Sequence, residues 1–170
     1  MGTITGFPPI ADGNAVVLIL GSMPSKKSLD AQQYYAHPQN SFWPIMTRLL
    51  AAGAGLDYEQ KKALLLKNRI ALWDVLDSCQ RNGSLDSSIE NASVVVNDFN
   101  GFFDAHPLIN AVYFNGARAQ QEYSRRVLPG LDDKFRGIAC KRLPSTSPAM
   151  ASLDREQKYQ QWKCITERLV

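Results

Sequence analysis

The chain is poor in the residues that build metal sites, disulfide frameworks and imidazole chemistry. Its three cysteines, Cys79, Cys140 and Cys164, are scattered without a close pair, and it has only two histidines, His37 and His106. Such isolated thiols fit neither a disulfide framework nor a zinc or iron–sulfur cage. These shortages predict an intracellular protein that binds no metal.

Long apolar runs are missing as well. No stretch approaches the roughly 18 residues that cross a bilayer, and the N-terminal segment lacks the basic region and apolar core of a signal peptide. We therefore expect a cytoplasmic protein, associated with the nucleoid if it is bacterial. The 170 residues are expected to form a single domain spanning 1–170, and the net charge of +3 allows a polyanionic partner without requiring one.

Apolar segments of strand length recur along the chain. The continuous apolar run 15–20 predicts a buried parallel strand, and residues 70–72, 111–114 and 138–143 predict three more. Because these strands alternate with helical patterns, the sequence predicts an α/β fold. The expected architecture is a three-layer α/β/α sandwich with a central, mainly parallel sheet of about four strands.

The helices between these strands are predicted from apolar spacing and capping residues. Ser41 is the expected N-cap of a helix that begins at Phe42, and Ser152 is the expected cap of the terminal helix. Residues 94–103 are compatible with a strand or a helix, and the spacing of their aromatic residues favours a helix.

The segment 34–43, which reads Y-Y-A-H-P-Q-N-S-F-W, has the most unusual composition in the chain. Two aromatic pairs flank a proline-fixed turn and one asparagine, which suits a pocket with flat ring walls and an amide. In open α/β sheets, ligands bind outside the carboxyl ends of the strands. We therefore predict one cleft for a flat, polar ring, lined by segments 21–25, 34–40, 115–116 and 143–148.

The motifs that follow one another along the chain resemble those of the uracil-DNA glycosylase superfamily. They are G-S-M-P-S from Gly21, the segment 34–43, A-L-W-D-V from Ala71, F-N-G from Phe114 and L-P-S-T-S-P-A from Leu143. The hypoxanthine-DNA (deoxyinosine) glycosylase branch is the most similar. The mismatch-specific uracil and thymine glycosylases have a similar H-F-A-H-P-x-N-x-F-W segment.

This resemblance implies a monofunctional DNA glycosylase of base excision repair, which hydrolyses the N-glycosidic bond of a deaminated base without a cofactor. Hypoxanthine is the expected base, uracil is possible, and a G/U mismatch-specific uracil glycosylase is the alternative. The implied partner is DNA that contains such a base, and the protein is expected to act as a monomer.

Two positions depart from the pattern of the superfamily. In most members the first motif ends in an Asp or Asn that orients the attacking water, and the corresponding residue here is Met23. The last motif commonly places His or Asn before Pro-Ser to contact the leaving base, and here that residue is Leu143. The resemblance to the hypoxanthine branch implies that Asn40 takes over catalysis. A neutral amide is a poor general base, so easily leaving, deaminated bases are the expected substrates.

The resemblance also implies roles for other residues, each with a structural alternative. Asn40 is either catalytic or a helix cap, and Asp74 either assists the water or caps a strand-end turn. Tyr35 either stacks on the flipped base or packs in the core. The base pocket implied by the matching motifs consists of Gly21, Ser22, Met23, Tyr35, Asn115 and Leu143. Asn115 either reads a base edge or only serves the Asn-Gly turn.

DNA contacts are expected around the mouth of this pocket. Lys26 and Lys27 follow the first motif, where they can meet phosphates, and His37 either binds a phosphate or orders its loop. Ser145 belongs to the last motif and is a further expected DNA contact. Ser147 and Met150 belong to the segment 147–150, which corresponds to the loop that wedges into the base stack in related proteins. Met150 is either the apolar wedge or a residue that packs under the terminal helix.

Two function classes other than a glycosylase are open to the sequence. A serine hydrolase based on Ser22 lacks a suitably placed histidine and the G-x-S-x-G motif. A catalytically inactive module that binds damaged DNA or nucleotides is consistent with Met23 and Leu143. Cleavage of inosine- or uracil-containing duplexes distinguishes these classes.

Overall fold

A parallel four-stranded sheet forms the centre of the molecule. The computed structural model describes residues 2–170. The strands are β1 (Thr3–Thr5), β2 (Val17–Gly21), β3 (Ile70–Asp74), β4 (Leu76–Gln80), β5 (Val95–Val96), β6 (Ala111–Asn115) and β7 (Ala139–Leu143). The central sheet has the order β3-β2-β6-β7, and each neighbouring pair is parallel. The four strands predicted from the apolar runs are therefore confirmed.

Helices cover both faces of this sheet. They are α1 (Lys26–Ala31), α2 (Phe42–Leu49), α3 (Tyr58–Lys67), α4 (Phe99–Ala105), α5 (Ala117–Glu122), α6 (Asp133–Arg136) and α7 (Arg155–Trp162). A π-helical turn, Tyr123–Val127, continues α5, and a 3-10 helix, Lys163–Arg168, continues α7. Within residues 2–170, no helix is both long enough and apolar enough to cross a membrane.

Successive side chains of the central strands point to opposite faces and divide the core in two. Leu18 and Leu20 of β2 pack into one hydrophobic cluster with residues of α4 and α5. Val17 and Ile19 pack into a second cluster with residues of α2, α3 and α7. All four β2 side chains are fully buried, so the strand is apolar on both faces as a covered parallel strand requires. This arrangement is the predicted three-layer sandwich.

Three local predictions about helices need correction. Ser41 is the N-cap residue of α2, as predicted, but its side chain makes no capping hydrogen bond with residues 2–170; the Asn40 side chain accepts from the Phe42 N–H instead. Residues 94–103 form the short strand β5 followed by α4, because Asp98 caps a helix that begins only at Phe99. The terminal helix is capped by Asp154 in a capping box, not by Ser152.

A second, antiparallel sheet with the order β1-β4-β5 lies beyond the end of β3, and the sequence did not predict it. Only Val75 separates β3 from β4. The Val75 and Leu76 N–H groups donate to the carbonyl oxygens of Gly21 and Ser22 at 2.8 and 3.1 Å. The chain therefore runs directly from the central sheet into the second sheet, and it fixes Asp74 at the junction.

Candidate active site

A cavity of about 410 Å³ opens at the carboxyl edge of the central sheet. Its lining comes from residues 21–25, Ser28, Tyr34, Tyr35, Asn40, Asp74, residues 84–87, Asn115, residues 145–147, Ala149 and Met150. The predicted convergence of four segments on one cleft is confirmed. A fifth segment, 84–87, was not predicted from the sequence.

Hydrogen bonds join three of the lining segments. The side-chain amide of Asn115 donates to the Thr146 hydroxyl and accepts from the Thr146 N–H, both at 2.9 Å. The Ser41 N–H donates to the Thr146 carbonyl oxygen at 2.9 Å. Thr146 is fully buried, so it fixes Asn115 and the Asn40–Ser41 turn relative to each other. Asn115 thus has a structural role in the cavity wall.

Asn40 occupies the wall of the cavity and also caps helix α2. Its Oδ1 accepts the Phe42 N–H at 2.9 Å, and its own N–H donates to the His37 carbonyl oxygen at 2.9 Å. Because the Phe42 N–H is a donor, the side-chain atom of Asn40 that it contacts must be the oxygen, which fixes the orientation of the Asn40 amide. A carbonyl oxygen has two lone pairs, so Oδ1 can accept a second hydrogen bond from a water in the cavity. The capping role and the predicted catalytic role are therefore compatible.

Gly21, Asp74 and Tyr35 form the floor of the cavity at the ends of β2 and β3. A Cβ atom added to Gly21 would lie 2.5 Å from Asp74 Oδ1 and 2.7 Å from the Tyr35 hydroxyl oxygen. Only glycine permits this close approach. Within residues 2–170, neither the buried Asp74 Oδ2 nor the buried Tyr35 hydroxyl has a hydrogen-bond partner. The Tyr35 hydroxyl lies near Asn115, whose amide is held by Thr146 as described above.

The environment of Asp74 favours its protonated form. Asp74 is 4% exposed, and burial, followed by the nearby Asp86 carboxylate, raises the pKa of Asp74 to about 7 against a smaller opposing effect of Arg81. An unpaired buried carboxyl is costly as an anion. A substantial fraction of the protein therefore carries a neutral Asp74 near neutral pH.

Asp86 is a second acid of the cavity, and it was not predicted from the sequence. The Ser22 hydroxyl donates to Asp86 Oδ1 at 2.7 Å, and Arg118 donates to the Asp86 carbonyl oxygen at 3.2 Å. Burial raises the pKa of Asp86, while the Ser22 hydrogen bond and the Arg118 and Arg81 charges lower it. The only signal in the sequence was an acid within a polar loop, which is usually solvent-exposed.

Tyr35 presents an aromatic surface to the cavity. Its ring is stacked on Phe42 with centroids 4.2 Å apart and planes 29° apart. The residue adopts a left-handed backbone conformation with φ of 54°, which is uncommon for a bulky side chain. Because Phe42 covers one face of the ring, a flipped base can stack only on the opposite face.

Met23 and Leu143, which stand where most of the superfamily has polar residues, lie in different environments. Met23 is 7% exposed and lines the cavity, as predicted. Leu143 was predicted in the base pocket, and this is wrong. As the last residue of β7 it points into the core between α2 and α7 and is 2% exposed. The following residues, Ser145 and Thr146, line the cavity instead.

The residues predicted to bind DNA are arranged around the cavity mouth. Ser145, Ser147 and Met150 line it. Lys26 and Lys27 are exposed in the first turn of α1, and the Lys26 N–H donates to Ser84 Oγ at 2.8 Å. His37 lies outside the lining, where its Nδ1 accepts the Gln39 N–H at 3.1 Å and orders the turn. Contact with DNA remains a prediction for all of these residues.

Acidic, cysteine and histidine side chains are not clustered as they are in metal sites. Among residues 2–170, no group of three or more His, Cys, Asp or Glu side chains is placed to hold a metal ion.

Comparisons with known proteins agree with this geometry. The family model described as the uracil DNA glycosylase superfamily matches residues 8–168. A hypoxanthine DNA glycosylase of Methanosarcina acetivorans is 37% identical over 161 residues, which cover 94% of this chain and 96% of that protein. A hypoxanthine DNA glycosylase of Methanosarcina barkeri is 36% identical over 115 residues, 67% of this chain and 72% of that protein.

A solved structure has the same fold. It is a solution NMR structure of a candidate uracil DNA glycosylase from Methanosarcina acetivorans, with a TM-score of 0.80 and 35% sequence identity. The match covers 99% of both chains. Since the ordered motifs, the parallel sheet and the relatives all agree, this chain belongs to the uracil DNA glycosylase superfamily.

Proposed function

We propose that the protein is a monofunctional DNA glycosylase that removes hypoxanthine from DNA by hydrolysis of the N-glycosidic bond. The relatives named above are hypoxanthine DNA glycosylases, and the cavity provides the groups that such a reaction needs. The observation that supports the proposal most directly is the Asn40 amide, which is held by a hydrogen bond at the wall of a cavity with an aromatic side and a polar floor.

Access to the bond requires the nucleotide to leave the duplex. Enzymes that act on a base flip it into a pocket, and the cost is lowest when pairing is already weak. Hypoxanthine pairs less well than the adenine from which it forms. The flipped ring would lie against Tyr35, where stacking on an aromatic side chain contributes roughly 1–3 kcal/mol.

Asn40 would then position the water that attacks C1′. Breaking the bond produces an oxocarbenium-like sugar, and water must approach from the face opposite the leaving base. The Asn40 Oδ1 has a free lone pair for this water, while the capping bond to Phe42 prevents rotation of the amide. A neutral amide orients water without fully deprotonating it, so the reaction depends on a base that leaves readily.

The test is single-turnover cleavage of duplexes that contain one deoxyinosine or one deoxyuridine, followed by alkaline cleavage at abasic sites. The wild-type protein should release hypoxanthine, and Asn40→Ala should be slower by about 10²-fold or more, the effect of removing one positioned polar group. Asn40→Ser is the matched control for stability, because serine also caps helices but is too short to reach the water.

The controls separate catalysis from folding. Asn40→Ala should lose roughly 1 kcal/mol of stability with its cap, which thermal melts measure, while Asn40→Ser should melt close to wild type and still cleave slowly. Cleavage at the wild-type rate by folded Asn40→Ala would show that Asn40 is only a cap. Complete inactivity of the wild-type protein on both duplexes would refute the proposed function and favour a non-catalytic DNA-binding module.

A further inference from the structure

The carboxyl group of Asp74 has no structural role within the described part of the chain that explains its position. It is 4% exposed and lies on the cavity floor. The side chain makes no hydrogen bond with residues 2–170, and its Oδ2 is fully buried. The Asn97 side-chain amide donates to the main-chain carbonyl oxygen of Asp74 at 2.8 Å and leaves the carboxyl unbound. Buried polar groups without partners are rare in proteins. An unpaired carboxyl facing a cavity indicates a partner on the substrate.

The surrounding charges determine which acid of the cavity carries the proton. Asp86 faces Asp74 from the 3-10 turn Asp86–Ser88, and Arg81 faces it from the position that follows β4. Tyr34 and Tyr35 face it from the segment before α2. Asp86 accepts the Ser22 hydroxyl and lies near two guanidinium groups, whereas the Asp74 carboxyl accepts no hydrogen bond from residues 2–170. When two acids share a site, the better stabilised one ionises first.

We propose that Asp74 is the general acid of the reaction and donates its proton to a ring nitrogen of the leaving purine. This inference rests on the proposed function. As the C1′–N9 bond breaks, its electron pair moves into the purine, and the Asp74 proton binds N7 or N3. The base leaves as neutral hypoxanthine, water adds to C1′ and releases a proton to solvent, and solvent returns a proton to the Asp74 carboxylate.

This role predicts a difference between purine and pyrimidine substrates. A purine bond breaks more easily when a ring nitrogen is protonated, whereas uracil leaves as a comparatively stable anion. Removal of the acid should therefore slow the release of hypoxanthine more than the release of uracil. General acid catalysis contributes typically 10²–10⁴-fold to a rate.

The decisive variant is Asp74→Asn, which keeps the shape and a hydrogen-bond donor but cannot transfer a proton. Single-turnover rates should fall by ~10²-fold or more on deoxyinosine duplexes, and by clearly less on deoxyuridine duplexes. Since the protonated form is active and the pKa of Asp74 is about 7, the wild-type rate should be constant at low pH and fall as the pH rises through about 7. Asp74→Asn should not show this decline.

Asp86→Asn tests the electrostatic part of the proposal separately. The amide oxygen can still accept the Ser22 hydroxyl, but the negative charge that favours the proton on Asp74 is lost. The pKa of Asp74 should therefore fall, and the decline in rate should move to lower pH. Duplexes with 7-deaza- or 3-deaza-deoxyinosine identify the ring nitrogen that accepts the proton. The wild-type protein should cleave one of these two duplexes as slowly as Asp74→Asn cleaves a deoxyinosine duplex. Asp74→Asn should cleave that deaza duplex no more slowly still, because both changes remove the same proton transfer.

Each outcome can be distinguished from failure of the proposed function. If wild type releases no hypoxanthine, the proposed function itself fails. If wild type is active but folded Asp74→Asn keeps its rate or its pH dependence, or if neither deaza duplex is slower, Asp74 is not a general acid. An equal loss on deoxyinosine and deoxyuridine would show that Asp74 only shapes the cavity.

Discussion

Gly21 is the position where a single added carbon should impair the site most. A methyl group at residue 21 would lie 2.5 Å from Asp74 Oδ1 and 2.7 Å from the Tyr35 hydroxyl oxygen, whereas ordinary contacts begin near 3.4 Å. In Gly21→Ala, the Asp74 carboxyl would have to retreat by about 0.9 Å and the Tyr35 hydroxyl by about 0.7 Å. Both groups lie on the cavity floor, so the added methyl group would push them out of position and into the cavity.

The expected magnitudes follow from this geometry. Overpacking of a well-packed site costs typically 1–3 kcal/mol, so Gly21→Ala should melt at a lower temperature but still fold. A displacement of about 1 Å in a positioned group can reduce a rate by about 10². We therefore expect the single-turnover rate on a deoxyinosine duplex to fall by about 10²-fold. The assay is run at a temperature where Gly21→Ala is folded, so unfolding does not account for this loss.

Gly137→Ala provides the matched control. A Cβ atom at Gly137 would have no neighbour within 4 Å among the described residues, and its φ of −84° is accessible to alanine. This variant should keep both its melting temperature and its activity. A folded Gly21→Ala protein that cleaves as fast as Gly137→Ala would refute the argument that the cavity floor is tightly packed and needed for catalysis.

Three further variants or conditions test separate parts of the site. Asn115→Ala removes both hydrogen bonds to buried Thr146 and should lower stability by roughly 1–3 kcal/mol; an unchanged urea midpoint would contradict this. Met150→Ala should slow the cleavage of a double-stranded substrate but not of a single-stranded one, because a wedge is needed only to open a base stack. Leu108→Ala, which changes a 49% exposed leucine outside the cavity, is the control. Activity should persist in EDTA, and a loss restored by one divalent ion would overturn the assignment of catalysis to amide and carboxyl groups.

The sequence predicted the parts of the fold that depend on burial on both faces. Continuous apolar runs identified the strands around Leu18 and Val112 because such strands need no alternation. The antiparallel sheet was missed because its strands are short and only partly buried. In β4 the buried residues, Leu76 and Cys79, are three positions apart and give no period of two. Ser152 was mistaken for a cap because Asp154 lies only two residues further along and forms the better box.

The candidate site was predictable where residues are adjacent in sequence and unpredictable where they meet only in space. Asn40 and Tyr35 belong to one motif and were identified from it. Asp86 approaches Ser22 across 64 positions of the chain, and no local pattern encodes this pairing. Leu143 was assigned to the pocket because its motif lies there, but the alternation of side chains along β7 turns it into the core.

The direct passage from β3 into β4 fixes the floor of the cavity more firmly than its roof, which is formed by residues 84–87. Asp74 is held by both sheets, since Gly21 pairs with it in the central sheet and only Val75 lies between it and the second sheet. Residues 84–87, in contrast, are attached through side chains, chiefly Ser84 to Lys26 and Asp86 to Ser22. Substitutions of Leu85 and Ser87, which lie between these anchors or next to them, can therefore reshape the opening without unfolding the core. Changes in the range of accepted bases should arise there during evolution or directed selection.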